Sequence, residues 1–219
     1  MIRKSLEAVA IAYKNLKNSY YKGKNIDLML SEFLFSIEER VGACGFKYDF
    51  LCGKDTVNID GVTKNYIPKT GDTLLIDISV KVDGRWCDVC RTFFFGEPSE
   101  EQKKTFELIV RSIKAGEEKL SSGAKASDIY RAVNSVYEES GKTLVHHAGH
   151  KIGSRAMMQP QFLEEKTGKI KEGDFVTIES GLYEKFGMRM ENDYIIEKDG
   201  AKNLFEDLMP LDIKEYEIL

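Results

Sequence analysis

An α+β fold made of two similar halves, with one curved antiparallel sheet backed by helices, is the class this sequence predicts. Three observations predict it. Lys69-Thr70-Gly71-Asp72 followed by an apolar run ending at Asp77 recurs as Lys171-Glu172-Gly173-Asp174 and a run ending at Glu179, an offset of 102 residues. Each copy then meets a second carboxylate, Asp88 after 11 residues and Glu191 after 12. A pair of helical stretches precedes each copy, so the order is two helices, hairpin, two helices, hairpin. The halves are expected to pack as pseudo-twofold mates.

In chain order, helices are expected near 3–20 and 25–43. In the second, Leu28, Leu30, Phe33, Ile37 and Val41 recur at helical spacing. Val82-Asp83-Gly84-Arg85 predicts a hairpin, because Asp-Gly suits a type I′ turn. That turn pairs Val82 with Arg85 and, counting back, Ser79 with Asp88. Pro68 and Pro98 punctuate the ends of this region. Ser99-Glu100-Glu101-Gln102 reads as a capping box opening a helix with Phe106, Ile109, Val110 and Ile113 on its apolar face. A loop at Gly123 and a helix near 127–140, stopping at Gly141, follow. The second hairpin joins Phe175–Tyr183 to Met188–Ile196 through Glu184-Lys185-Phe186-Gly187. Residues 1–219 are read as one domain, with a helical N-terminal part at 1–67 and a core at 68–200 that carries the site.

Composition narrows the function classes. Hydrophobic residues make up 42% of the 219, enough for a sizeable core, and the net charge is −4 with both signs scattered. No basic block points to nucleic acid, and no uncharged stretch approaches the ~20 residues of a membrane span. Glu7 and Lys14 interrupt the apolar run a signal peptide needs, so a cytoplasmic protein is expected. The four cysteines, Cys44, Cys52, Cys87 and Cys90, suit a reducing compartment. Cys87-Asp88-Val89-Cys90 has C-x-x-C spacing, but on a strand positions i and i+3 face opposite ways. Buried, unpaired thiols are the expectation.

The chemistry gathers around the histidines. All three, His146, His147 and His150, fall within five residues, between the two acidic hairpins. In the first hairpin Asp77 and Asp88 become diagonal neighbours on one face, about 7–8 Å apart at Cα. In the second, Glu179 and Glu191 are symmetric about Lys185 and face each other across the ladder. Four converging acids repel one another unless a cation lies between them. Asp77, Asp88, His150, Glu179 and Glu191 are therefore the expected metal ligands. Gly149 and Gly153 bracket His150 and permit a close backbone approach. His146 is read as substrate-facing or proton-sharing, and His147 as partly exposed or supporting.

Asp77, then Asp88-Val89-Cys90-Arg91-Thr92-Phe93, then His146-x-x-Gly149-His150-x-Ile152-Gly153, then Glu179-Ser180-Gly181-Leu182-Tyr183, then Arg189-Met190-Glu191 resembles the pita-bread metallopeptidases. These include methionine aminopeptidases and Xaa-Pro aminopeptidases and dipeptidases. The likeness covers roughly residues 68–200 and keeps five metal-ligand positions in order. Arg91-Thr92-Phe93-Phe94-Phe95-Gly96-Glu97-Pro98 looks more like the Xaa-Pro branch. The resemblance implies the pita-bread (creatinase/aminopeptidase) fold and two divalent ions. Asp77 would chelate one, His150 and Glu179 the other, with Asp88 and Glu191 bridging. Oxygen-rich ligation favours Mn²⁺, with Zn²⁺, Fe²⁺ or Co²⁺ as alternatives. Glu179 and His146 would be catalytic, Arg189 and Tyr183 would support the ligands, the substrate would be a short peptide, and a homodimer is compatible.

The sequence departs from that pattern at four places. The family's histidine before the first metal aspartate is replaced by Asn58-Ile59-Asp60-Gly61, and the histidine seven residues after His150 by Met157. Loss of a general acid or base lowers a rate by about 10²–10⁴. Ser180 stands where proline is usual and Cys90 where threonine is usual. The N-terminal domain common in Xaa-Pro enzymes is not found in the ~65 residues before the core. A metal-dependent peptidase acting on an N-terminal or Xaa-Pro bond is the leading expectation. The alternatives are an impaired homologue binding peptide or protein, and a hydrolase of another amide or C–N bond on the same fold.

Overall fold

The computed structural model describes residues 2–42 and 45–218. Cys44, counted above among the buried thiols, lies outside them. Helix α1 (Ile2–Asn18) buries Ile2, Leu6, Val9, Tyr13 and Leu16, one stripe at helical spacing. Helix α2 (Ile26–Val41) opens on Asn25, whose side chain accepts the Asp27 N–H at 2.8 Å. It buries Ile26, Met29, Phe33 and Ile37, while the expected core residue Leu28 is exposed. Phe33 and Ile37 of the expected stripe are buried and Leu30 and Val41 pack against the core, so Leu28 alone departs: at 100° per residue it lies on the face opposite the others. The helical part read at 1–67 ends with α2, since Gly45–Cys52 forms strand β1 and Gly53–Val57 a 3₁₀ turn.

Strands β2 (Thr73–Val82) and β3 (Arg85–Phe95) make the first hairpin in the expected register, Val82 against Arg85 and Ser79 against Asp88. Asp83 and Gly84 both take positive φ, as a type I′ turn requires. Helix α3 (Glu100–Glu117) opens with the Ser99–Gln102 capping box, and α4 (Ala126–Glu138) follows, with Gly141 at φ 67° just beyond it. Two short strands, β4 (His150–Ile152) and β5 (Met158–Gln161), lead to the second hairpin, β6 (Phe175–Tyr183) and β7 (Gly187–Glu197). Strands β8 (Gly200–Asn203) and β9 (Glu217–Ile218) complete the sheet.

The strand order is β1-β2-β3-β7-β6-β4-β5, with β8 beside β7 and β9 parallel to β3. The duplication persists at single hydrogen bonds. Asp72 accepts the Lys69 N–H and Asp174 the Lys171 N–H, at 2.8 and 3.0 Å. The intervening glycines both have positive φ, and their N–H groups reach Phe95 O and Ile196 O respectively. Each half is backed by its own helix pair. Tyr13 of α1 donates to Ile76 O in the first half, and Ser112 of α3 and Tyr137 of α4 bond Ser180 in the second. Ser180 therefore fastens β6 to both helices beside Glu179.

Among the described residues the halves share one ladder pair, Cys90 opposite Glu191. Buried polar groups close the rest of that seam. The Arg91 guanidinium donates to Cys90 O, Glu191 O, Asn192 Oδ1 and Met209 O at 2.6–2.8 Å. Its plane lies 4.7 Å from the Phe205 ring centre. One face of the sheet is the apolar core with the helices; the opposite face carries the polar residues that form the site.

Candidate metal centre

Strand alternation places every second residue of the seam strands on this polar face. Two cross-strand rows result. The first runs Asp49, Asp77, Cys90, Glu191, Glu179 over β1, β2, β3, β7 and β6. The second begins Lys47, Ser79, Asp88 and continues through Asp193, which sits opposite Thr177. His150 enters from β4, its N–H donating to Thr177 Oγ1 at 3.2 Å. Gly149 makes that approach possible: its φ is +135°, and a Cβ there would stand 2.1 Å from Thr177 O. All five expected ligands and His146 line one cleft of about 280 Å³.

Asp88, His150 and Glu191 each offer an atom within 4.8 Å of the other two. His150 Nδ1 is 3.2 Å from Lys151 O, and because a carbonyl only accepts, Nδ1 carries the proton. The lone pair of Nε2 then faces Asp88 Oδ2 at 3.7 Å and Glu191 Oε1 at 3.9 Å. These distances are too long for hydrogen bonds. They fit two atoms sharing one ion, because ligands at about 2.0–2.2 Å stand no more than about 4.4 Å apart. Glu191 Oε1 is buried with no hydrogen-bond partner. A centre made only of acceptors, one of them orphaned, fits a divalent cation.

The electrostatics agree. Burial pushes Asp88 and Glu191 well above the usual carboxylate range, and neighbouring acids add to it, Asp77 and Asp193 for the first, Glu179 and Asp88 for the second. Asp77 is raised to about 7, by burial first, with Arg189 opposing and Glu179 reinforcing. Burial lowers His150 to about 4, which keeps it neutral and available as a ligand. Glu179 is the exception. Burial would raise it, but His147 by charge and contact, then His146 and Arg189, hold it below its ordinary value.

Asp77 and Glu179 line the cleft outside the tight trio, each held by cationic or imidazole neighbours. Arg189 Nη2 lies 2.8 Å from Asp77 Oδ2 and 3.1 Å from Asp49 Oδ2. His147 Nδ1 stands 2.8 Å from Glu179 Oε1, out of line for a hydrogen bond, and His146 Nδ1 is 3.6 Å from Oε2. Tyr183 OH bridges His146 Nε2 and Arg189 Nη1, at 3.3 Å each. His147, read above as partly exposed or supporting, thus touches an expected ligand directly. Asp60 and Met157 both line the cleft.

Several residues of the centre were not singled out from sequence. Asp49 holds Arg189, and its other oxygen accepts the Gly61 N–H at 2.8 Å. Asp193 is fully buried and accepts the Asp88 N–H at 3.1 Å. Strand alternation from Glu191 would have placed Asp193 on the same face. Asp49 had no such signal, because β1 was not read as a strand. Cys52, Cys87 and Cys90 are buried free thiols, as expected. Cys87 packs in the main core and Cys90 with Leu51 and Leu75 on the other face.

The model of metallopeptidase family M24 matches residues 1–198. An uncharacterized peptidase of Methanocaldococcus jannaschii is 34% identical over 154 residues, 68% of this chain and 43% of that protein. A Xaa-Pro dipeptidase of Pyrococcus furiosus is 28% identical over 148 residues, 66% of this chain and 42% of that protein. The chain therefore spans about two fifths of the length of these curated relatives. Among solved structures, the prolidase of Pyrococcus furiosus superposes with a TM-score of 0.87 at 24% identity, covering 94% of this chain and 62% of that one. An X-Pro aminopeptidase of Thermotoga maritima gives 0.88 at 19% identity, covering 93% and 59%. The fold shared with these structures is the pita-bread fold. With the motif order, the duplicated hairpins and the family match in agreement, the chain belongs to metallopeptidase family M24.

Proposed function

We propose that this chain is a metal-dependent peptidase that hydrolyses an N-terminal or Xaa-Pro-type bond of a short peptide. Two divalent ions would be held by Asp77, Asp88, His150, Glu179 and Glu191. The observation that carries the proposal is the acceptor-only cluster of Asp88, His150 and Glu191, with its orphaned oxygen, inside this fold. The likeness to a Xaa-Pro dipeptidase of Pyrococcus furiosus and to an uncharacterized peptidase of Methanocaldococcus jannaschii supports it. When bound, such ions polarise a scissile carbonyl and lower the pKa of water enough for attack near neutral pH. The many oxygen donors favour Mn²⁺ over softer ions.

The chain's own groups supply the rest. Glu179 is kept ionised by His147 and His146, so it can take the proton of the attacking water. The His146 Nδ1–H donates to His147 O at 2.7 Å, which leaves Nε2 to accept from Tyr183. His146 thereby sits beside Glu179 with a fixed tautomer, and the proton it shares is the one carried by the Tyr183 hydroxyl. Arg189, tied to Asp49, holds Asp77 at its place on β2.

One observation favours a second reading, a relative that binds peptide without turnover. Asp60 and Met157 line the cleft at the places where the resemblance implies histidines. A panel of Xaa-Pro and Met-Xaa peptides with Mn²⁺-loaded protein separates the two. Release of free amino acid supports the peptidase; full metal loading with no cleavage assigns the binding role.

A further inference from the structure

The floor of the cleft is not uniformly acidic. Along the strand direction its cross-strand rows change sign. The row of Asp49, Asp77, Glu191 and Glu179 is acidic. The next begins with Lys47 beside Ser79 and Asp88. A third, two residues further along the same sheet face and just outside the cleft lining, holds Lys81 opposite Trp86. Lys47 Nζ and Lys81 Nζ lie 5.9 and 5.8 Å from the Trp86 ring centre, so the indole is flanked by two ammonium groups. Among the described residues neither lysine forms an ion pair. The cleft's other cation, Arg189, is committed to Asp49 and Asp77. The proposed reaction uses neither lysine and not Trp86.

We infer that Lys47, with Trp86 and Lys81 beside it, anchors the free α-carboxylate of a dipeptide-sized substrate. The inference rests on the peptidase proposal and adds to it the length and C-terminal chemistry of the substrate. Arg189 is taken up by two carboxylates and the acidic row by the proposed metal ions, so among the described residues Lys47 is the lining lysine or arginine left without a carboxylate. Lys47 sits two strands from Asp88 in the same row, about 10 Å at 4.7–4.9 Å per strand. The lysine stem together with one extended residue, about 3.3–3.6 Å, bridges that gap. The carboxylate bound there belongs to the residue just after the cleaved bond. The α-ammonium end then points towards Asp60 and the row containing Asp77.

The test compares alanyl-proline with its C-terminal amide on Mn²⁺-loaded protein, by hydrolysis and by fluorescence. Trp86 is the single tryptophan of the chain, so its emission reports occupancy of the shelf without turnover. The acid should show a KM about tenfold below that of the amide, the scale of one charge-assisted contact. Lys47→Ala should collapse that ratio to about one, and Lys47→Arg should keep most of it. Equal KM and equal fluorescence titrations for acid and amide in the unmodified protein would overturn the inference, as would a preference that survives Lys47→Ala. Should neither peptide be cleaved, the peptidase proposal fails on its own, and the fluorescence titrations with the same variants still decide whether Lys47 selects a carboxylate.

Discussion

Asp193 Oδ2 accepts the backbone N–H of Asp88 at 3.1 Å, across the seam where Cys90 pairs with Glu191. A side chain of the second half thereby completes the hydrogen bonding of a ligand strand in the first. Removing it in Asp193→Ala leaves a buried N–H unpaired, at about 1–3 kcal/mol. In a chain of this size that lowers the melting temperature by about 2–4 °C per kcal/mol. Asp193→Asn keeps an acceptor oxygen and should lose much less. Differential scanning calorimetry of both variants checks this, and equal melting temperatures would show that the contact does not fix the seam.

Gly149 is the position where the His150 strand meets β6 most closely. Gly149→Ala would bring a Cβ within 2.1 Å of Thr177 O at a φ of +135°. The change should destabilise the protein by about 3 kcal/mol and weaken metal binding through displacement of His150. Thermal unfolding and Mn²⁺ titration read the two effects. Gly153→Ala, whose Cβ would meet Met158 Sδ at 3.3 Å, is the milder comparison.

The pH dependence of stability should differ in sign with and without metal. Asp77 is raised to about 7, and Asp88 and Glu191 are raised well above their ordinary range. Between the unfolded value of about 4 and the raised folded values, the folded chain binds more protons than the unfolded one. Its stability therefore falls as pH rises through that window. Glu179, depressed in the fold, works in the opposite direction at lower pH. Chelator-treated protein should melt at lower temperature at pH 7.5 than at pH 5.5, while Mn²⁺, which binds the ionised carboxylates, should reverse the order. A chelated protein that is more stable at the higher pH would contradict the clustering of these acids.

Met157 lies in the cleft, 46% exposed, where the resemblance implies a histidine. Met157→His should raise kcat by about 10²-fold or more if a general acid is what the cleft lacks. Steady-state hydrolysis of alanyl-proline measures this. An unchanged kcat would mean that Asp60, His146 and His147 already supply the proton transfers the reaction needs.

The sequence made the two hairpins readable because their signals are local. Asp83-Gly84 dictates the first turn, and alternation then fixes Ser79 opposite Asp88. Symmetry about Lys185 places Glu179 opposite Glu191. What escaped depends on distant partners. β1 lies at the sheet edge beside β2, and its Gly45–Cys52 stretch carries Lys47 and Asp49 with no turn signal joining it to β2. The seam is likewise nonlocal, since Arg91 bonds groups as far away as Met209. His147 is part-exposed and supports Glu179, within the reading given for it, but spacing alone does not show which of three clustered imidazoles makes that contact. Leu28 faces solvent because it stands nine residues from Ile37, half a turn round the helix from the buried face.

The most direct measurement is Mn²⁺ stoichiometry by elemental analysis and calorimetric titration, on the unmodified chain and on Asp88→Asn and Glu191→Gln. Two equivalents bound to the unmodified protein, with loss of tight binding in both variants, is the predicted result. Protein that binds no transition metal, or that binds it equally well after both substitutions, would contradict the assignment of these residues as the heart of a metal centre.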